Sequence, residues 1–221
     1  MKTKPDIAIP LDNIPLLLLS ATAIGFLAAR AVIMNSYHWD IGGIENSVVY
    51  SASKMLYGLP LYGDPESRNF DVTQYTPVYY HCLVGLARLA DLNPMVDLHR
   101  IFLIGRGLSL VFDVLGAALV YRILAVVFKV DRRLSACAAT LSLLTLSDFH
   151  FAARPDSLFS LSGTSVLYCF SVYLTSEKGS RIPVHFLIGL MIASLSIFVK
   201  QTGIQYAAFI PLFFLSQRMY Q

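Results

Sequence analysis

Between Ile14 and Met34 the chain runs for ~20 residues with Arg30 as its one charged side chain, the length a helix needs to cross the hydrocarbon of a bilayer. No other feature constrains the fold so tightly. Lipid offers no water to a free amide or carbonyl, so such a run crosses as a helix, whose backbone pairs within itself. Further apolar stretches follow at 101–128, 134–148, 157–174, 183–199 and 203–217. Charged residues make up 14% of the chain, against ~25% in soluble domains, and the mean hydropathy is +0.61. The expected fold class is all-α: a polytopic membrane helical bundle of about six spans, forming a single module over 1–221.

Lys2 and Lys4 precede the first run and Ala29-Arg30-Ala31 lies near its end, a pattern that a cleaved signal peptide also carries. The run exceeds the ~7–15-residue core of a signal and further spans follow it, so a retained helix with a cytoplasmic N-terminus is expected.

Two shorter amphipathic segments lie between the first and second spans. Residues 78–87 are about half the length a span requires, and Thr76-Pro77 opens them as a cap followed by proline at N1. Residues 47–57 place Val48, Ala52, Met55 and Leu56 at helical spacing, with Lys54 off that face and Gly58 and Pro60 as the stop. Both read as helices at the membrane interface; the same pattern also suits packing on a protein core. If 78–87 does not span, the basic turns Lys129-Val130-Asp131-Arg132-Arg133 and Glu177-Lys178-Gly179-Ser180-Arg181 both face the cytoplasm, as the positive-inside bias requires. A large extracytoplasmic loop over 35–104 follows, carrying the two short helices.

This topology gathers the charged residues on one membrane face. Asp40 and Glu45 follow the first span, Arg106 opens the second, Arg154 and Asp156 separate the third and fourth, and Lys200 and Gln201 separate the fifth and sixth. Charges beside hydrocarbon are costly and mark function or a paired structural role. Cations suit a phosphate leaving group, and a carboxylate suits deprotonation of an acceptor hydroxyl. Each residue also has a plainer use. Arg106 and Lys200 suit snorkelling to headgroups, Asp156 suits a helix start, and Asp40 suits a loop anchor. Asp113, well inside the second span, calls for a partner on a neighbouring helix or a water-lined cavity.

Other chemistries find little support. The net charge of +3 comes with no basic cluster interleaved with aromatics, so nucleic acid is not an expected partner. Cys82, Cys137 and Cys169 are widely spaced and the five histidines are scattered, so neither a disulfide framework nor a metal site is read from them.

Several stretches together resemble the GT-C superfamily of membrane glycosyltransferases, in particular its protein O-mannosyltransferase and aminoarabinose-transferase branch. They are His38-Trp39-Asp40 with Glu45, the run from Ala52-Ser53-Lys54 to Leu59-Pro60-Leu61-Tyr62, Tyr75-Thr76-Pro77-Val78-Tyr79-Tyr80, Gly105-Arg106-Gly107-Leu108-Ser109, Ala153-Arg154-Pro155-Asp156 and Lys200-Gln201-Thr202. The likeness implies sugar transfer from a polyprenyl-phosphate donor to a glycan, lipid or protein acceptor, with no cofactor beyond that lipid-linked substrate. It implies a bacterial inner membrane, with the site on the periplasmic face. By carry-over Asp40 is the catalytic base and Glu45 the other catalytic carboxylate. Arg106, Arg154 and Lys200 would hold the donor phosphate, supported by Asp156 and Gln201. Family members continue through further spans, so the chain looks like their shared N-terminal module. The alternatives are a transporter or flippase component, for which Asp113 speaks, and a non-catalytic remnant.

Overall fold

A computed structural model describes residues 14–35, 44–64, 66, 73–144, 150–176 and 184–219, with side chains to residue 215. The regular structure among them is helical: α1 (Ile14–Met34), α2 (Glu45–Leu56), α3 (Pro77–Leu89), α4 (Leu98–Arg122), α5 (Arg132–Leu144), α6 (Asp156–Thr175), α7 (Val184–Leu195) and α8 (Ile204–Met219). A π-turn over Ile123–Val127 prolongs α4, and two 3-10 turns, Ser196–Phe198 and Gln201–Gly203, join α7 to α8.

Three of these helices are long and apolar enough to cross a membrane: α1, α4 with its π-turn, and α6. Their apolar side chains point outward, with Leu18, Ile24 and Val32 of α1 all more than 60% exposed. Water would penalise so large an apolar surface, whereas lipid is its natural solvent; the chain is a membrane protein. The other three expected spans form shorter helices. α5 has 13 residues, α7 has 12, and α8 has 16 with Pro211 inside it, against the ~20 of a full crossing. Residues 145–149, at the end of the expected third span, lie outside the described residues.

α6 stands at the centre, packed on α4 and α7, while α5 lies against α1 and α4. Aromatic rings fill the seam of α6, α7 and α8, with Phe170 stacked at a tilt 4.9 Å from Phe213 and edge-on 5.7 Å from Phe186. Rings at these separations attract beyond the area they bury.

α2 and α3 form where the sequence periodicity placed them, and their stops are chemical. Gly58, at φ +77°, takes the left-handed position after α2; its amide donates to Met55 and that of Leu59 to Lys54, closing the last turn. Asp91, at φ 50°, closes α3 by the same pattern, with Asp91 bonded to Arg88 and Leu92 to Ala87. The apolar faces of the two helices pack on protein. Val48, Val49 and Ala52 of α2 pack with Tyr79, Tyr80, Leu83 and Val84 of α3 and with Ile101, Phe102 and Ala153 in one buried core.

Candidate functional site

Residues 150–157, between α5 and the first turn of α6, are the meeting point of three polar clusters. The segment lies very close to α4: a Cβ at Gly105 would overlap that of Ala153. Ser109, one turn further along α4, donates to the Ala152 carbonyl at 2.8 Å. Tyr79 of α3 donates to the Gly105 carbonyl at 3.0 Å. Burial raises the pKa of its phenol, and a hydrogen bond with Ser109 opposes this more weakly, so the hydroxyl remains a donor.

The first cluster joins Glu45 to Arg106. The guanidinium grips the carboxylate with both prongs, Nε to Oε1 and Nη2 to Oε2, each at 2.7 Å. The Ala153 amide donates to Oε1 at 2.8 Å, and Arg106 Nη1 reaches the Met34 carbonyl at the end of α1 at 3.0 Å. Both residues are fully buried. Two expected site residues therefore meet each other, tying α1, α2, α4 and the 150–157 segment together. A carboxylate already accepting three hydrogen bonds in the interior is placed as an anchor.

The second cluster contains Arg154, Asp156 and Lys200. Asp156 accepts Lys200 Nζ at 2.8 Å on one oxygen and faces Arg154 Nε at 3.2 Å on the other. Arg154 Nη2 donates to the Tyr75 hydroxyl at 2.6 Å, and the Tyr75 ring also lies within 6.0 Å of Lys200 Nζ. Gln201 donates to the Gln74 carbonyl at 2.7 Å, so the strand of chain before α3 is pinned onto the α7–α8 turn. Among the described residues, two cations face this carboxylate. The Lys200 side chain is 23% exposed and that of Arg154 only 5%, so the lysine is the more open of the two.

The third cluster lies deeper, along α4. Arg30 of α1 meets Asp113 at 2.7 Å and donates to the His150 carbonyl at 2.6 Å. His150 Nδ1 stands 2.9 Å from the other Asp113 oxygen and 3.2 Å from the Ser157 hydroxyl. The Arg30 guanidinium also lies 4.9 Å from the centre of the Phe151 ring. Asp113 borders a cavity of about 80 Å³ whose other polar walls are Ser142, Ser157, Ser160 and Thr164. The partner that Asp113 called for is thus on α1, with a polar cavity alongside.

Of the expected site residues, the structure brings together Glu45 with Arg106, and Arg154 with Asp156 and Lys200, while Gln201 joins the second group through its backbone partner. Asp40 lies outside the described residues. Sequence reasoning missed Arg30, His150 and Tyr75. Arg30 carried a signal, as a lone cation inside an apolar run; His150 and Tyr75 carried none beyond residue type. Among the described residues no three His, Cys, Asp or Glu side chains come together as a metal-binding set. No protein-family model matches the chain, and neither curated proteins nor solved structures give a match.

Proposed function

We propose that the chain is a membrane glycosyltransferase of the GT-C type, moving a sugar from a polyprenyl-phosphate donor to an extracytoplasmic acceptor. The observation that carries this reading is the Arg154–Asp156–Lys200 cluster, where, among the described residues, two cations face one carboxylate beside Tyr75. Asp40 takes the proton from the acceptor hydroxyl as its oxygen attacks the anomeric carbon. The bond from that carbon to the phosphate oxygen breaks, and the phosphate departs with its electron pair towards Lys200 and Arg154. Glu45 and Arg106 serve as the brace that holds the site's floor, since each already occupies the other. In this reading the helices number six spans with the N-terminus inside, α2 and α3 lie on the outer side, and the membrane is a bacterial inner membrane. No metal enters the scheme: the cations supply the charge that the leaving group needs.

The test is transfer of radiolabel from polyprenyl-phosphate hexoses to a membrane acceptor extract. Lys200→Ala is expected to raise the donor KM by about tenfold or more, the loss of one charge-assisted hydrogen bond. Absence of both donor binding and transfer in the parent protein would defeat the reading. The transporter alternative would then gain, because a charged cluster along α4 is the kind of feature it requires.

A further inference from the structure

α1 is held on the bundle in an unusual way. Of its 21 residues, Arg30 is the buried one, and the partners of that side chain come from other elements: Asp113 of α4, the His150 carbonyl and the Phe151 ring. Another polar tie, among the described residues, is again an arginine, Arg106 of α4 on the Met34 carbonyl at 3.0 Å. Between apolar helices in lipid there is no hydrophobic drive to associate, because acyl chains are as apolar as leucine. An apolar helix surface of this kind can slide or rotate at little cost. A guanidinium set between a carboxylate and a carbonyl can do neither without leaving a buried charge alone. Arg30 and Met34 are about 6 Å apart along the axis, so the two ties fix both the depth and the rotation of the end of α1. The chain leaves α1 directly into the 36–43 segment, which contains Asp40.

We propose that Arg30 and Asp113, with the His150 carbonyl, are positioning residues. They lock the register of α1 against α4, and through α1 they set where the segment bearing Asp40 starts relative to the Arg154–Lys200 cations. The lock is a claim about helix register and stands on the ion pair; its effect on transfer rests on the function proposed above.

Two readouts separate these claims. For register, Met34→Cys and Gly107→Cys are introduced with Cys82, Cys137 and Cys169 replaced by alanine, and the pair is joined by a short bifunctional thiosulfonate. A Cβ at Gly107 would lie 3.8 Å from the Met34 methyl, so the parent crosslinks rapidly. Asp113→Asn is expected to slow crosslinking about tenfold or more, by leaving Arg30 without its carboxylate. The double variant Arg30→Met with Asp113→Leu removes both charges and so folds even where the single variant does not. Its crosslinking also stays slow, because apolar side chains restore no register, and Arg30→Lys is intermediate. Crosslinking at the parent rate in the double variant would overturn the lock. For transfer, the double variant is assayed without the added cysteines, using radiolabelled polyprenyl-phosphate hexoses. A drop in kcat on the order of 10²-fold with the donor KM within about twofold is expected of a misplaced base. Slow crosslinking with undiminished transfer would overturn the link to Asp40. A parent that transfers nothing defeats the glycosyltransferase reading, and the crosslinking result then decides the lock alone.

Discussion

Glu45 and Asp40 are two carboxylates five positions apart, and on sequence either suits the role of base. Glu45 sits with three donors on it and no exposed surface. Its loss is a structural event first: Glu45→Gln leaves Arg106 buried beside a neutral amide, and breaking a buried pair costs about 3–5 kcal/mol. A thermal unfolding midpoint in detergent well below the parent's is the expected result. Asp40→Asn is expected to behave in the opposite way, with the midpoint unchanged and transfer down by 10²–10⁴-fold, roughly the contribution of a positioned general base. A Glu45→Gln protein that unfolds like the parent yet transfers nothing would reverse the two assignments. Tyr75 belongs to the same scale. Tyr75→Phe keeps the ring beside Lys200 but removes the acceptor for Arg154 Nη2, so a severalfold higher donor KM is expected with little change in kcat.

At the level of elements, the contact that sets the site is the close approach of α4 to residues 152–154. It requires that Gly105 have no side chain, because the Ala153 methyl already fills the space. Gly105→Ala is expected to push the 150–157 segment away and weaken the bond from the Ala153 amide to Glu45. A loss of about 1–3 kcal/mol is typical of such overpacking. Moving the methyl, as Gly105→Ala with Ala153→Gly, should recover most of the lost midpoint; an unrecovered double variant would place the strain elsewhere. The short helices illustrate what periodicity reveals at this scale. The stripe Val48–Ala52–Met55–Leu56 and the proline at the start of α3 were visible as helix signals. The partner of the stripe was not, because lipid and a protein core present the same apolar surface to it.

The molecule as a whole presents one end rich in paired charge and long flanks of exposed leucine, isoleucine and valine. The ends of α1, α4, α6 and the α7–α8 turn that carry the pairs meet through Arg106 on Met34, Ala153 on Glu45 and Lys200 on Asp156. In the six-span topology proposed above, the two basic turns put the N-terminus inside and that end outside. Cysteines placed at Ser67 and Ser180 test this in intact cells with an impermeant maleimide: Ser67→Cys is expected to label and Ser180→Cys to stay unlabelled. Labelling of the Ser180 position from outside would invert the topology.

The membrane class, the helical content and the placement of most helices to within a few residues were set by the sequence alone. They depend on local quantities: the length of an apolar run, its period, and a proline or glycine at its end. Which charges pair was decided by tertiary structure. Arg30 reaches a carbonyl 120 positions away, Glu45 takes an amide 108 positions away, and Arg106 meets Glu45 across 61. No local rule selects among several arginines and carboxylates of equal charge. The choice falls to the close packing of α4 on the 150–157 segment, because a buried charge is tolerated only where its partner is already in place.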